Sequence, residues 1–228
     1  GEALAEAELF AAGASGAPLE GSVRITASVV TSHYTLPRIL ARLRQELPMI
    51  ALELVPSDTA ESLLMREADI AVRMFRPTQL DLIAKKLGES PMVVCAHRDY
   101  LDRRGRPERL EQLLEHDLIG FDRSDLLLNA ARGMGFALER KDFALRSDNQ
   151  SLLWEMIRAG AGIGFAQQNI VRESKGVEVL DIPRAIPPLE VWLTSHRELH
   201  AARRIRVIYD RLGEMLGQWL AQREQKAL

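Results

Sequence analysis

Cysteine is nearly absent: the 228 residues contain one, Cys95. A disulfide framework and a thiolate zinc cluster are thereby excluded, since each needs more than one thiol. Cys95 lies in the apolar run Val93-Val94-Cys95-Ala96 and reads as a buried, inert thiol rather than a nucleophile. Aromatic residues are scarce at 5%. No run approaches the roughly 18–20 apolar residues of a membrane span, so no membrane partner is expected. Neither charge dominates: 30 Lys and Arg face 32 Asp and Glu, for a formal net charge of −2. The chain therefore lacks the broad basic face on which a nucleic-acid-binding module relies. Gly1 to Gly21 carries no basic segment followed by a long apolar one, so it does not read as a secretory signal, and the cytoplasm is the expected compartment. An initiating Met is missing as well, and the chain reads as starting after a cleavage or as an excerpt.

What is present is ordinary for a globular protein: 46% hydrophobic and 27% charged residues. The length suits one large domain or two small ones, with a core that needs no disulfide or metal. Residues 2–12 favour helix, and the small residues from Gly13 to Gly21 read as a linker. Val23 to Ala27 alternates as a strand does. Leu36, Ile39, Leu40, Leu43 and Leu47 then mark one face of a helix, with Pro37 in its first turn and Pro48 at its end. Strands are expected at 50–55, 69–74, 82–87 and 92–96, and a short helix at 59–67. Further on, helices are expected at 107–115, 126–136, 151–159, 168–174 and 200–220. Strands fall between them at 117–121, 143–146, 162–166, 177–182 and 189–194. This alternation predicts α/β layers with largely parallel sheets.

The motifs that come first to mind for catalysis fail on context. Gly160, Gly162 and Gly164 form GxGxG, but they follow a helix and lead into a strand, the reverse of a dinucleotide loop. Gly160 fits a helix C-terminus instead, and the other two allow close packing. The histidines are scattered without a zinc-site spacing, and no G-x-S-x-G elbow presents a serine. No catalytic residue, metal or cofactor is assigned, and the chain is not expected to be an enzyme. Five polar segments remain, each at the end of a strand where open α/β sheets bind ligands. Ser28, Thr31 and Ser32 lie between the first strand and the next helix, where a hydroxyl either caps the helix or meets an anion. Thr59 follows the second strand. Arg73 ends a strand that should be internal, where its charge needs a cleft or a partner such as Asp58. Arg123 and Ser124 occupy the same kind of position in the second half, as do Asn149 and Gln150. Two such lobes with facing polar strand ends would make a cleft for a small molecule.

The order of these segments resembles the effector-binding part of LysR-type transcriptional regulators over roughly residues 20–215. Gly21-Ser22-Val23-Arg24-Ile25 matches the G-x-L-R-I start, and Leu36-Pro37 with Leu43 and Pro48 matches the helix after it. Ala68-Asp69-Ile70-Ala71-Val72-Arg73 matches the D-I-A-I-R strand, and Ala159-Gly160-Ala161-Gly162-Ile163-Gly164 matches the A-G-x-G-I turn. Val191-Trp192-Leu193 and the segment from Arg204 to Leu212 match the last strand and helix. The resemblance implies two Rossmann-like α/β subdomains with a central cleft and two crossovers, like type 2 periplasmic binding proteins. Subdomain I would be residues 22–90 plus 188–220, and subdomain II residues 91–187. Residues 1–21 would be the end of a linker helix and a linker, with the winged helix-turn-helix missing from this chain. A small-molecule effector in the cleft, a homodimer (often paired into a tetramer in this family) and promoter DNA reached only through the missing domain follow from the same resemblance. Two positions depart from the pattern. Val30 replaces a serine that often contacts ligand, and Gln167 replaces a proline, placing a polar side chain where it can enter the cleft. The polar candidates and the few aromatics point to a small polar or anionic effector. A transporter's solute-binding protein is the alternative.

Overall fold

The computed structural model describes residues 19–58, 68–182 and 186–221. Strand β1 (Gly21–Ala27) buries Val23, Ile25 and Ala27 and leaves Arg24 outside, as its alternation requires. It pairs in parallel along its whole length with β2 (Ile50–Pro56), and its far end pairs in parallel with β3 (Ile70–Arg73), which is buried throughout. Two short helices connect β1 to β2: α1 (Val29–Tyr34) and α2 (Leu36–Glu46). In α2 the predicted face is the buried one, through Leu36, Ile39 and Leu43, each worth roughly 1.5–3 kcal/mol of burial. The segment after β1 carries no helix in the sequence pattern. It is instead the six-residue helix α1, because Ser28 supplies an N-cap and Val29 to Tyr34 follow without a breaker.

The chain then leaves this sheet through β4 (Leu82–Ser90), passes Pro91 and enters a second sheet at β5 (Met92–His97). The second unit contains β6 (Leu118–Gly120), β7 (Phe143–Arg146), β8 (Ile163–Gln167) and β9 (Val177–Val179). Its helices are α3 (Arg98–Arg104), α4 (Leu126–Gly133), α5 (Gln150–Arg158) and α6 (Gln168–Glu173). Strand β10 (Leu189–His196) returns to the first sheet, and α7 (Arg197–His200) and α8 (Arg203–Ala221) follow. The sheet orders are β2-β1-β3-β10-β4 and β7-β6-β8-β5-β9. We refer to the two units as lobe I and lobe II.

Neither sheet is largely parallel as expected. In lobe I, β10 runs antiparallel to both neighbours, and in lobe II β5 does the same. These two strands follow directly from the crossings between lobes, so they enter their sheets from the opposite end. Helix α3 was not anticipated, since its sequence RDYLDRR buries only Tyr100 and Leu101. The helix expected at 107–115 is a 3₁₀ segment (Leu110–Glu115), in which Leu110 and Leu113 eclipse on one buried side. The expected helix at 59–67 lies outside the described residues.

Glycines at two places make the lobe II seam tight. Gly160 closes α5 with φ +72°, the left-handed cap predicted for it. A Cβ on Gly164 would sit 2.4 Å from Ile157 Cδ1, so β8 and α5 approach only because that atom is missing. Lobe I is closed by α8, which buries Ile205, Ile208, Leu212 and Leu216. Arg211 ties it to α2 through Glu46, with Nε–Oε2 at 2.6 Å and Nη2–Oε1 at 2.9 Å. Among the described residues no helix is long and apolar enough to cross a membrane.

Candidate functional site between the lobes

Helix α1 belongs to lobe I by chain order, yet Val30 packs into a lobe II cluster with Ile119, Trp154 and Ile157. Around this contact the lobes are also joined by polar groups. Tyr34 Oη donates to Glu155 Oε1 at 2.7 Å, His33 Nδ1 lies 3.1 Å from Ser151 Oγ, and Arg38 pairs with Glu173 at 3.1 Å. Tyr34 also meets the Trp154 ring edge-on at 6.3 Å between centroids. Burial, and then the Glu155 carboxylate, push the Tyr34 hydroxyl up to about 12, so it remains a donor at neutral pH. Burial works to raise the Glu155 carboxyl, but the Tyr34 hydroxyl and the Arg158 guanidinium outweigh it and hold the group below its usual range.

Between this contact and the crossovers lies a cavity of about 380 Å³. Its volume is in the range of small-molecule sites. Lobe I lines it with Ser28, Ser57, Asp58 and Arg73, together with Val30, Val72, Met74, Phe75 and Leu189. Lobe II lines it with Gln150 and Gln167 amid a larger apolar set that includes Ile119, Phe121, Leu153, Trp154, Ile157 and Phe165.

Of the residues singled out from sequence, Ser28, Arg73, Gln150 and Gln167 come together on this cavity. Arg73 is buried, with a relative exposure of 4%. Desolvation lowers its pKa, and the charge of Asp58, which lines the same cavity, acts against that. Asp58 is itself held by the Val29 N–H at 3.0 Å. Gln167 is buried and accepts from Ser90 Oγ at 3.1 Å, which links the cavity wall to the first crossover. Nearby, Ser90 Oγ is also 3.4 Å from Asn169 Oδ1.

The other candidates lie elsewhere. Thr31 and Ser32 are buried and occupied locally: Ser28 Oγ donates to Thr31 Oγ1 at 2.8 Å, and Ser32 Oγ donates to Ala27 O at 3.3 Å. Asn149 caps α5 by accepting from the Leu152 N–H at 3.0 Å. Arg123 and Ser124 face outward, because Asp148 accepts both of their backbone N–H groups, at 2.9 and 3.1 Å. Arg140 holds the same loop through Asp125 and the Asp122 and Arg123 carbonyls. These bonds fold the loop away from the cavity and leave Leu126 and Leu127 of α4 on its wall instead. Thr59 lies outside the described residues. Cys95 is fully buried, and burial pushes its thiol up to about 12, which removes it from nucleophilic or redox chemistry. Among the described residues no group of three His, Cys, Asp or Glu is placed to hold a metal.

The cavity wall is thus mostly apolar, where sequence reasoning expected a mostly polar cleft. The missed residues carried a signal, but an ambiguous one. Leu153 and Ile157 recur at helical spacing, and that spacing marks an inward face without telling packed core from the wall of an empty space.

The LysR substrate binding domain matches this chain over residues 16–217. The chain is 28% identical over 148 residues to the HTH-type transcriptional activator AaeR of Escherichia coli (strain K12), covering 64% of this chain and 48% of that protein. It is 25% identical over 208 residues to the HTH-type transcriptional regulator CrgA of Neisseria meningitidis serogroup C, covering 87% and 68%. It spans about half the length of the first of these relatives. In structure it is similar to the regulatory domain of Neisseria meningitidis CrgA, with TM-score 0.78 at 23% identity over 86% of this chain and 99% of that one. It is also similar to the CcmR regulatory domain of Synechocystis PCC6803, solved in complex with 2-PG, with TM-score 0.71 at 17% identity over 86% and 97%. These likenesses give the two lobes and their two crossovers as the fold of LysR-type regulatory domains, built like periplasmic binding proteins. With the match extending across nearly all of its length, the chain belongs to the LysR substrate-binding domain family.

Proposed function

We propose that this chain is the effector-sensing domain of a LysR-type transcriptional regulator. The observation that carries the reading is the cavity of about 380 Å³ walled by both lobes, with Arg73 and the strand-end hydroxyls on one side of it. A ligand there touches both lobes at once, so it binds one relative placement of the lobes better than another and shifts the population toward it. A homodimer relays that shift to DNA-binding domains, and coupling is reciprocal: promoter occupancy changes effector affinity by the same factor. The effector is small and polar or anionic, it is released unchanged, and it needs no metal or cofactor. Relatives named as transcriptional regulators support sensing over a transporter's solute capture.

The test is a thermal-shift screen of small metabolites on the 228-residue chain. A true effector at 100 times its dissociation constant adds about 2.7 kcal/mol of stability. The stabilisation should vanish in a Gln150→Trp variant, whose indole occupies the cavity. Stabilising compounds that ignore this substitution would place the ligand elsewhere and defeat the proposal.

A further inference from the structure

Among the described residues, the charged and hydroxyl groups that line the cavity all come from one lobe. Lobe I supplies Ser28, Ser57, Asp58 and Arg73, all at the ends of β1, β2 and β3. Lobe II supplies the apolar Ile119, Leu153, Trp154, Ile157, Phe165 and Ile170, with Gln150 and Gln167 among them and no charged group. The rim has the same character. Phe75 from lobe I and Leu126 from lobe II both line the cavity while remaining 50% and 59% exposed.

We propose that the ligand of this cavity is a compact amphiphile: one hydrogen-bonding head with no more than one negative charge, on an apolar body the size of a ring or larger. This rests on the cavity being the effector site, and it narrows the effector from any small polar molecule to that class. The head lies against lobe I, within reach of Arg73 and the Ser28 and Ser57 hydroxyls, and the body lies against lobe II. Three considerations lead there. First, a hydroxyl or phosphate oxygen pressed on the apolar side chains of lobe II, away from Gln150 and Gln167, has no partner, and each such group weakens binding by about tenfold or more. Polyols and sugar acids are thereby disfavoured. Second, Asp58 shares the lobe I wall with Arg73, so a dianion meets a like charge as well as an opposite one. Third, the space is ample for the body: an apolar cavity of about 150 Å³ accepts benzene, and this one holds about 380 Å³. The exposed rim residues are then covered when the body is in place.

Titration calorimetry on the 228-residue chain decides the matter with defined probes. The series butanoate, pentanoate, hexanoate should tighten by about fourfold per methylene, and cyclohexanecarboxylate should bind at least as well as pentanoate. Glycerate, gluconate and 2-phosphoglycolate should bind at least tenfold more weakly than hexanoate. Gln150→Trp should erase the advantage of hexanoate over butanoate. Leu126→Asn, on an exposed helix start where folding tolerates the change, should weaken hexanoate by threefold or more. Tighter binding of glycerate or 2-phosphoglycolate, abolished by Gln150→Trp, would overturn the amphiphile class and leave the sensing role standing. A chain-length dependence untouched by both substitutions would move the apolar site out of the cavity and overturn the proposal. Failure of every probe and of the wider metabolite screen would remove both readings together.

Discussion

Lobe I meets the cavity with polar groups at the ends of its strands, whereas lobe II meets it with mostly apolar side chains from α4, α5 and α6 and from the ends of β5, β6 and β8. Strand ends carry loops, and loops carry hydroxyls, carboxylates and the terminal Arg73. The flank of α5 carries Leu153, Trp154 and Ile157, which a helix of this amphipathic pattern buries by default. One sheet architecture thus yields a polar wall and an apolar wall, according to which side chains its strand ends and helices carry toward the gap. The opposition also explains why α1 docks on lobe II: Val30 extends the apolar wall from the other side.

The largest expected effect tests the apolar wall. Trp154→Ala removes a side chain that is 4% exposed and supports both α1 and the cavity. It should cost about 3–5 kcal/mol in urea denaturation, with the loss falling on lobe II. A cost below about 1 kcal/mol would mean that this wall is not packed as described. Next, Arg73→Ala should weaken hexanoate by about 1.5–3 kcal/mol in calorimetry, the range for hydrogen bonds to charged groups. It should leave hexanamide nearly unchanged. Equal losses for both would reduce the lobe I wall to a matter of shape.

The seam between the walls is the third target. Tyr34→Phe deletes the hydroxyl on Glu155 and should cost about 0.5–1 kcal/mol, since the pair is partly exposed. The pH dependence carries a sign. The folded-state pKa of Glu155 lies below its ordinary 4.5, so its contribution is present above that pH and is lost as pH falls through the lower folded value. The stability gap between wild type and Tyr34→Phe should shrink over that acid window. A gap that widens there would contradict the bond. The smallest effect belongs to Arg123→Ala, whose side chain is 90% exposed. Stability should change by less than about 0.5 kcal/mol, and hexanoate binding not at all. A tenfold loss of affinity would bring the outer loop back into the site.

Sequence patterns made some of this plain and hid the rest for physical reasons. The face of α2, the cap at Gly160 and the close seam at Gly164 follow from local spacing and from the lack of a side chain. The direction of β10 and β5 is set by where the chain crosses between lobes, which no local pattern records. Helix α1 was hidden because a capping serine looks the same before a loop as before a short helix. Arg73 stood out because a charge on an internal strand needs an explanation, Ser28 and Gln150 because they follow strands, and Gln167 because it departs from the family's proline. The apolar half of the wall did not stand out, since an empty space and a filled core ask for the same side chains.

The order of strands in the first sheet bears on how the molecule assembles. Strand β4 touches that sheet only through β10, yet more than ninety residues, the whole of lobe II among them, separate the two along the chain. During synthesis, lobe II is complete and can fold while lobe I still has an open slot beside β3 and an unattached β4. The last long-range pairing to form is therefore the insertion of β10 between its two waiting neighbours. That step also brings Leu189 against Ser90 and draws the two chain crossings side by side. Completion of the cavity is thereby tied to the arrival of β10 and α8, which also bring Val191, Leu193, Ile208 and Leu212 into the lobe I core.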